Sequence, residues 1–307
     1  MEIRQLRYFV KIADLGSMSR ASAALHIAQP ALSHQMTQLE DELGQPLLHR
    51  RHNGVAVTEH GAVFYRHAQQ ILKGLDDLPG AIASVADALT GTVAIGLPQS
   101  TAAHYAMPLL AATRERYKGV RLELFDEISG NLLRGLTSGR LDFAVIVNDD
   151  DASFTSSTPL MDEELFLITG PDGLPDRERF PVAELTELAL ALPGLDHGVR
   201  SLIEIAVRRH GLRLPRPVVV ANSMSVMRRA VQAGWACTVM PWAAVCDDIR
   251  AGTFRAIALD PPLSRRVHVC THRDVQLSLA GQAMNDLLIE QTRQRVRSGE
   301  WPGAQLL

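Results

Sequence analysis

A chain of 307 residues is long for a single core, so two or three domains are expected. Apolar residues at 46% and charged residues at 21% exclude the disordered and fibrous classes, and a formal net charge of −3 gives no overall basic field for nucleic acid. Three cysteines, Cys237, Cys246 and Cys270, are scattered and never spaced as CxxC, which argues against a disulfide or zinc framework and suits a reducing compartment. The opening MEIRQLRYF has no basic region followed by an apolar stretch, so no signal peptide is expected. No apolar run approaches the roughly 18 to 20 residues of a membrane span, so no membrane partner is expected and the location reads as cytoplasmic.

The first helix is read in IRQLRYFVKIADLG, with Leu6, Phe9, Val10 and Ala13 on one stripe and Gly16 as its stop. A second follows at once, capped by Ser17 or Ser19, with Ala21, Ala24 and Leu25 inward. The third lies in LHIAQPALSHQMTQLEDELG. Pro30 suits a first helical position and makes Gln29 the boundary, while Leu32, Met36, Leu39 and Leu43 form a narrow apolar stripe ended by Gly44. Pro30, Ser33, His34 and Thr37 lie opposite, a slim face of hydrogen-bonding groups such as a DNA major groove admits. A plain solvated helix face explains the same residues equally well.

PLLHRRHNGVAVTEHG then reads as two short strands around His52-Asn53-Gly54, a basic wing whose Arg50 and Arg51 would meet phosphates or the minor groove. Thr58 is placed to cap a long helix. Through residue 58 the six basic residues (Arg4, Arg7, Lys11, Arg20, Arg50, Arg51) face five acids, most of them at the far end of the third helix. The region is polarised, not basic.

The stretch from RYFVKIADLG through QPALS, LExxLG, PLxxR and TxxG resembles the N-terminal domain of the LysR-type transcriptional regulators. The resemblance implies a winged helix-turn-helix over residues 1–58 that binds double-stranded DNA. Its contact residues would be Arg4, Arg20, Gln29, Pro30, Ser33, His34, Thr37, Arg50 and Arg51. His34 stands where many members carry arginine, which removes the usual bidentate contact to guanine.

Over residues 59–90 the apolar positions Phe64, Ala68, Ile71, Leu75, Leu78, Ile82, Val85 and Leu89 step by 4 and 3 in turn. That heptad seam calls for a partner helix, so Phe64, Ile71, Leu75, Leu78, Ile82 and Val85 are read as dimerisation residues. Pro79-Gly80 is expected to kink or break the helix. Packing on the chain's own second domain is the plainer reading of the seam.

From Gly91 strands and helices alternate: GTVAIGL, VRLELFDE and LDFAVIV are strands with helices between them, a βαβαβ unit with a parallel sheet. A second block runs EELFLITG, LALALPG, SLIEIAVRRHG, PVVVAN, SVMRRAVQAG, ACTVMP and FRAIALD, and the chain closes with RRVHVCTH and a helix from Leu279 to about Arg297. Crossings between the blocks are expected near Pro159–Asp162 and Pro261–Arg265. This part resembles the α/β, two-lobed, periplasmic-binding-protein-like (type 2) effector domain of the same family over residues 91–307. Lobe I takes about 91–160 plus 267–307, and lobe II about 161–266. The phrases GLTSGRLDFAV, PLMDEELFLI and VQAGWACTVMPWAAV carry that likeness, with Trp235 altering a turn where many members have AGxG.

In such folds ligands settle where strand ends meet helix N-termini. Ser100, Thr101, Ser129, His197, Arg200 and Ser223, with Asn222 beside it, occupy those loops and are the effector-binding candidates, although each serine alone also reads as a helix cap. Arg200, a lone cation, suggests an anionic effector such as a carboxylate. GxSxG, GxGxxG, P-loop and HExxH signatures are absent, so no enzyme, cofactor or metal is expected, and Asn148–Ser153 reads as a solvated acidic loop. The resemblance implies a homodimer assembling to a homotetramer and an effector that shifts DNA-binding geometry. A solute-binding protein and an α/β enzyme are the alternatives from other classes.

Overall fold

A computed structural model describes residues 1–51, 54–83, 89–148, 154–175, 177–195 and 197–307. Three helices open the chain: α1 (Ile3–Leu15), α2 (Met18–Leu25) and α3 (Gln29–Leu43). Gly16 ends α1 at φ 57°, and Ser17, not Ser19, caps α2 by accepting the Arg20 N–H at 3.3 Å. The boundary of α3 lies one residue earlier than expected: Ala28 is its N-cap and Gln29 is already helical.

Phe9, Ile12, Ala21, Leu32, Met36, Leu39 and Leu47 form the buried core of this domain. Val10 and Ala13 are only half-buried, and Ala24 and Leu43 are exposed; Gln5 and Ser22 take inner positions instead. A stripe drawn on an isolated helix does not know where its neighbours cross, and the crossing point decides which edge of the stripe is covered.

The wing is the antiparallel pair β1 (Leu48–Arg51) and β2 (Gly54–Val57). His52 and Asn53 lie outside the described residues. Val55 donates its N–H to Gly16 O at 2.9 Å, and a Cβ on Gly54 would sit 2.6 Å from that same oxygen. Glycine is needed there for the close approach as well as for its φ of 139°. Glu40 ties α3 to the wing by accepting the N–H groups of Leu47 (2.7 Å) and Leu48 (3.0 Å).

Thr58 caps α4 (Glu59–Ala83), accepting the Gly61 N–H at 2.8 Å while donating to Pro46 O at 2.7 Å. The expected break is not there: the helical backbone continues through positions 79 and 80 to Ala83. A proline deletes one ladder bond, and the bonds on either side keep the helix continuous.

The remainder comprises β3 (Thr90–Pro98), α5 (Gln99–Arg116), β4 (Gly119–Glu127), α6 (Ser129–Thr137), β5 (Phe143–Val147), β6 (Thr155–Thr169), β7 (Arg179–Pro181) and β8 (Ala191–Leu192). It continues with α7 (Gly198–Arg209), β9 (Val219–Val220), α8 (Met224–Gln232), β10 (Thr238–Pro241), α9 (Cys246–Arg250), β11 (Arg255–His272), α10 (Leu279–Arg297) and β12 (Ala304–Leu306). The βαβαβ unit is as read, with β4 and β5 both parallel to β3.

Both expected crossings fall inside long strands and not between elements. β6 and β11 pair antiparallel over nearly their whole length, with register shifts between Ala258 and Leu263 and between Val267 and His268. One hydrogen-bonded path, β10-β6-β11-β5-β3-β4, therefore runs through both lobes. Lobe I packs Val93, Ile95, Leu109, Phe143, Met284 and Trp301 around that path; lobe II packs Leu165, Leu167, Val182, Leu192, Ile203 and Leu259. LALALPG and PVVVAN each shrink to a two-residue strand, and the 3-10 turns Val182–Glu187 and Trp242–Ala244 carry chain the periodicity did not foresee.

Candidate functional site

The third helix presents Gln29, Pro30, His34 and Thr37 exposed, with Ser33 half-buried beside them. The wing closes over its edge. Arg50 Nη1 donates to Ser33 Oγ at 2.8 Å, and its Nη2 lies 3.5 Å from Thr37 Oγ1. Thr37 in turn donates to Ser33 O at 3.2 Å, and Gln29 Oε1 accepts from Ser19 Oγ at 2.9 Å. Ser19, Gln29, Ser33, Thr37 and Arg50 thus share one surface spanning α2, α3 and β1. Ala28 supplies no side-chain cap, so the start of α3 carries free N–H groups of the kind that meet phosphate. Arg51 is exposed on the wing. Arg20 donates to Leu15 O and Arg4 pairs with Glu2 at 2.6 Å, so these two are engaged away from the reading helix.

On α4 the heptad seam divides. Phe64 stacks edge-on against Phe9 with ring centroids 5.0 Å apart and Ala68 is buried, so this end of the seam belongs to its own domain's core. Farther along, Ile71 is 45% and Leu78 49% exposed, with Leu75 half-buried between them. Ile82 lies in the last turn of the helix, and Val85 lies outside the described residues.

A cavity of about 380 Å³ lies between the lobes. Ser100, Ser129, His197 and Asn222 line it. Helices α5 and α6 start at its wall from Pro98 and Ile128, neither of which offers a side-chain cap. Their first N–H groups are therefore donors for a ligand. On the lobe II side Met224, Met227, Val239 and Met240 make an apolar wall. His197 and Asn222 hold their own loops there, accepting the N–H groups of Val199 (3.3 Å) and Gly194 (2.9 Å).

Three candidates are not on the wall. Thr101 is buried, with no hydrogen bond to its Oγ1. Ser223 caps α8, accepting from Val226 N–H at 3.4 Å and sharing a bond with Ser225 Oγ. Arg200 is 6% exposed and donates to Glu204 Oε1 at 2.7 Å, one helical turn on. Position at a helix start suggested a cleft cation; the i,i+4 partner and the buried face of α7 account for it instead.

Among the described residues two arginines do line the cleft: Arg134, exposed, and Arg265, 4% exposed on β11. Arg265 Nε donates to Glu163 Oε2 at 2.8 Å and its Nη2 to Ser100 Oγ at 2.7 Å. Glu163, wholly buried on β6, also accepts the Trp301 indole N–H at 2.9 Å. Both lie in phase with apolar neighbours, Arg265 with Val267 and Val269, Glu163 with Met161 and Leu165. A charge at every-second-residue spacing within a buried run was the available signal.

His104 on α5 stands beside this hub, edge-on to Trp242 (5.4 Å) and Trp301 (5.1 Å). Burial, then the charges of Arg295 and Arg250, hold its pKa below the ordinary 6.5. Among the described residues no group of three His, Cys, Asp or Glu side chains is arranged for a metal, and no helix is long and apolar enough to cross a membrane. The acidic run at residues 149–151 lies outside the described residues.

Residues 3–62 match the family described as bacterial regulatory helix-turn-helix protein, lysR family, and residues 86–293 match the LysR substrate binding domain. The chain is 33% identical over 294 residues to the nitrogen assimilation regulatory protein nac of Escherichia coli (strain K12), covering 94% of each. It is 29% identical over 308 residues to the HTH-type transcriptional regulator CfxR of Cupriavidus necator, covering 99% of this chain and 96% of that one. A full-length OxyR variant from Pseudomonas aeruginosa superposes with a TM-score of 0.71 at 22% identity, covering 95% of both chains. ArgP from Mycobacterium tuberculosis does so with a TM-score of 0.71 at 20% identity, covering 94% of this chain and 96% of that one. These two structures share the fold.

Proposed function

Because the chain belongs to the LysR family of bacterial transcriptional regulators, we propose that it binds its operators through α3 and the wing and adjusts that binding to a small anionic effector held between its lobes. It is a DNA-binding regulator and not an enzyme. The proposal divides the chain into a winged domain (1–58), a linker helix (59–90) and an effector domain (91–307). Gln29, Ser33, His34 and Thr37 face base edges, while Arg50, Arg51 and the free start of α3 meet phosphate.

The observation that carries the effector reading is the convergence of two uncapped helix starts, α5 and α6, on one cavity between the lobes. A carboxylate suits them. Closure of the lobes on the ligand favours one arrangement of the DNA-binding domains over another, because the ligand binds the two states unequally. The exposed apolar positions Ile71 and Leu78 support pairing of two α4 helices, hence a homodimer and, by likeness to the family, a homotetramer. Three free cysteines suit a cytoplasmic location.

The test is binding to DNA selected from a random-sequence pool, measured across salt against a scrambled duplex. No preference for the selected sequence at low salt would sink the DNA-reading assignment. Addition of small carboxylates to the same assay checks the second half: a changed affinity or footprint is the expected result.

A further inference from the structure

The reading of the interlobe cavity as an effector site leaves open what the ligand is. Among the described residues that line it, the charged ones are Arg134 and Arg265 against Glu127. Glu127 is matched by Arg140 at 2.8 Å. Arg134 is exposed at the rim and donates to Asn131. Among the described residues Arg265 alone is a buried cation on the wall. Its Nε and Nη2 are taken by Glu163 and Ser100, and its Nη1 makes no hydrogen bond among the described residues. One edge of a guanidinium, fixed from behind, therefore faces the space where α5 and α6 begin.

The opposite wall has a different character. Met224, Met227, Val239 and Met240 offer no charge and no side-chain donor; nearby, Asn222 Oδ1 and His197 Nδ1 accept from their own loops. Thioethers adapt to varied shapes and contact aromatic rings favourably. A second ionised group on a ligand would have to be desolvated there without a partner.

We infer that Arg265 is the residue that reads the effector's charge, and that the effector is a small monocarboxylate with an apolar body. The carboxylate accepts from Arg265 Nη1 and the α5 and α6 N–H groups; the body lies against the methionines. Glu163 and Trp301 are positioning residues: the indole holds the carboxylate that holds the guanidinium. The inference rests on the cavity being the effector site.

The experiment uses the full chain and measures thermal shifts with phenylacetate and hexanoate, with phenylacetamide, citrate and inorganic phosphate as comparison probes. Both monocarboxylates are expected to raise the melting temperature, the neutral amide and the polar anions not. Removing Arg265 alone would strand a buried carboxylate, so the variant is the double Glu163→Gln, Arg265→Gln, which keeps shape and removes both charges. It should fold and bind the monocarboxylates about tenfold or more weakly. Gly130→Trp serves as a cleft-blocking variant, since Gly130 lines the cavity and a Cβ there meets nothing within 4 Å.

Undiminished monocarboxylate binding in the double variant, with loss in Gly130→Trp, would overturn the role of Arg265 and leave the cleft standing. Undiminished binding in both would remove the cleft itself. Loss in Arg134→Gln with retention in the double variant would assign the charge reading to the rim. Equal shifts from phenylacetamide, a response confined to citrate or phosphate, or no shift from either monocarboxylate would overturn the ligand class.

Discussion

Ser33 and Arg50 should act on DNA as one unit, and a double-mutant cycle measures this. Arg50 Nη1 donates to Ser33 Oγ at 2.8 Å across the junction of wing and reading helix. Arg50 is exposed and Ser33 half-buried, so this bond adds no more than about 1 kcal/mol to folding. Its consequence is geometric: the hydroxyl that accepts from Arg50 has its own proton free for a base edge. Ser33→Ala removes that contact, with an expected loss of about 1–3 kcal/mol on the selected site, about 5- to 150-fold, and little loss on scrambled DNA. Arg50→Ala removes a phosphate contact, weakens both duplexes and lowers the salt slope by about 0.9. Because either change also releases the partner, the double variant should lose less than the sum, by more than about 0.5 kcal/mol. Fluorescence anisotropy on labelled duplexes over a salt series supplies all four corners. Additive losses, or an unchanged slope in Arg50→Ala, would refute the reasoning.

Three further outcomes are expected. Gly54→Ala pushes a Cβ against Gly16 O and strains a φ of 139°, so the wing should detach; DNA binding falls, while the melting of an isolated effector domain, lacking the wing, serves as the unchanged reference. Ile71→Gln with Leu78→Gln should weaken dimerisation by about tenfold or more in sedimentation experiments, whereas a dimer of unchanged affinity would place the interface elsewhere. His104 has a folded pKa below 6.5, so the unfolded chain takes up the proton first as pH falls through 6.5 and stability drops on that side. His104→Phe, which keeps a ring between Trp242 and Trp301, should flatten the melting profile between about pH 7 and 5. His272, lowered by burial as well, keeps a residual slope; an unaltered profile would remove His104 as the titrating group.

The winged domain was legible almost residue by residue, because its signals are local. Gly16, Ser17, Pro30, Gly44 and Thr58 act on their own turns of chain, and each stands at or within one residue of the boundary it marks. What failed there was long-range. Leu43 continues the stripe of α3 past the point where anything covers it, and Phe64 opens a heptad seam whose first turn is covered by Phe9 of its own chain. Periodicity states that a face is apolar; it does not say which neighbour reaches it. The cleft shows the same division. Ser100, Ser129 and His197 sit at loops that topology alone puts together, whereas Arg200 only neighbours such a loop in sequence.

Glu163 and Arg265 lie 102 positions apart and meet only because β6 and β11 pair antiparallel with these two residues opposite one another. Each alone reads as a charge on an amphipathic strand, yet each keeps step with buried apolar neighbours. A buried ion pair is a poor source of net stability: desolvation of both groups offsets most of their attraction, and two well-packed apolar side chains would serve folding as well or better. What the pair supplies is direction. Four hydrogen-bonding groups, the Ser100 hydroxyl, the guanidinium, the carboxylate and the Trp301 indole, are aligned from the cleft wall through the strands shared by the lobes to the segment after α10. The guanidinium at the cleft wall is thereby tied to the two strands that both lobes share. Apolar residues of equal volume would fill the space without placing a fixed cation at the cleft wall.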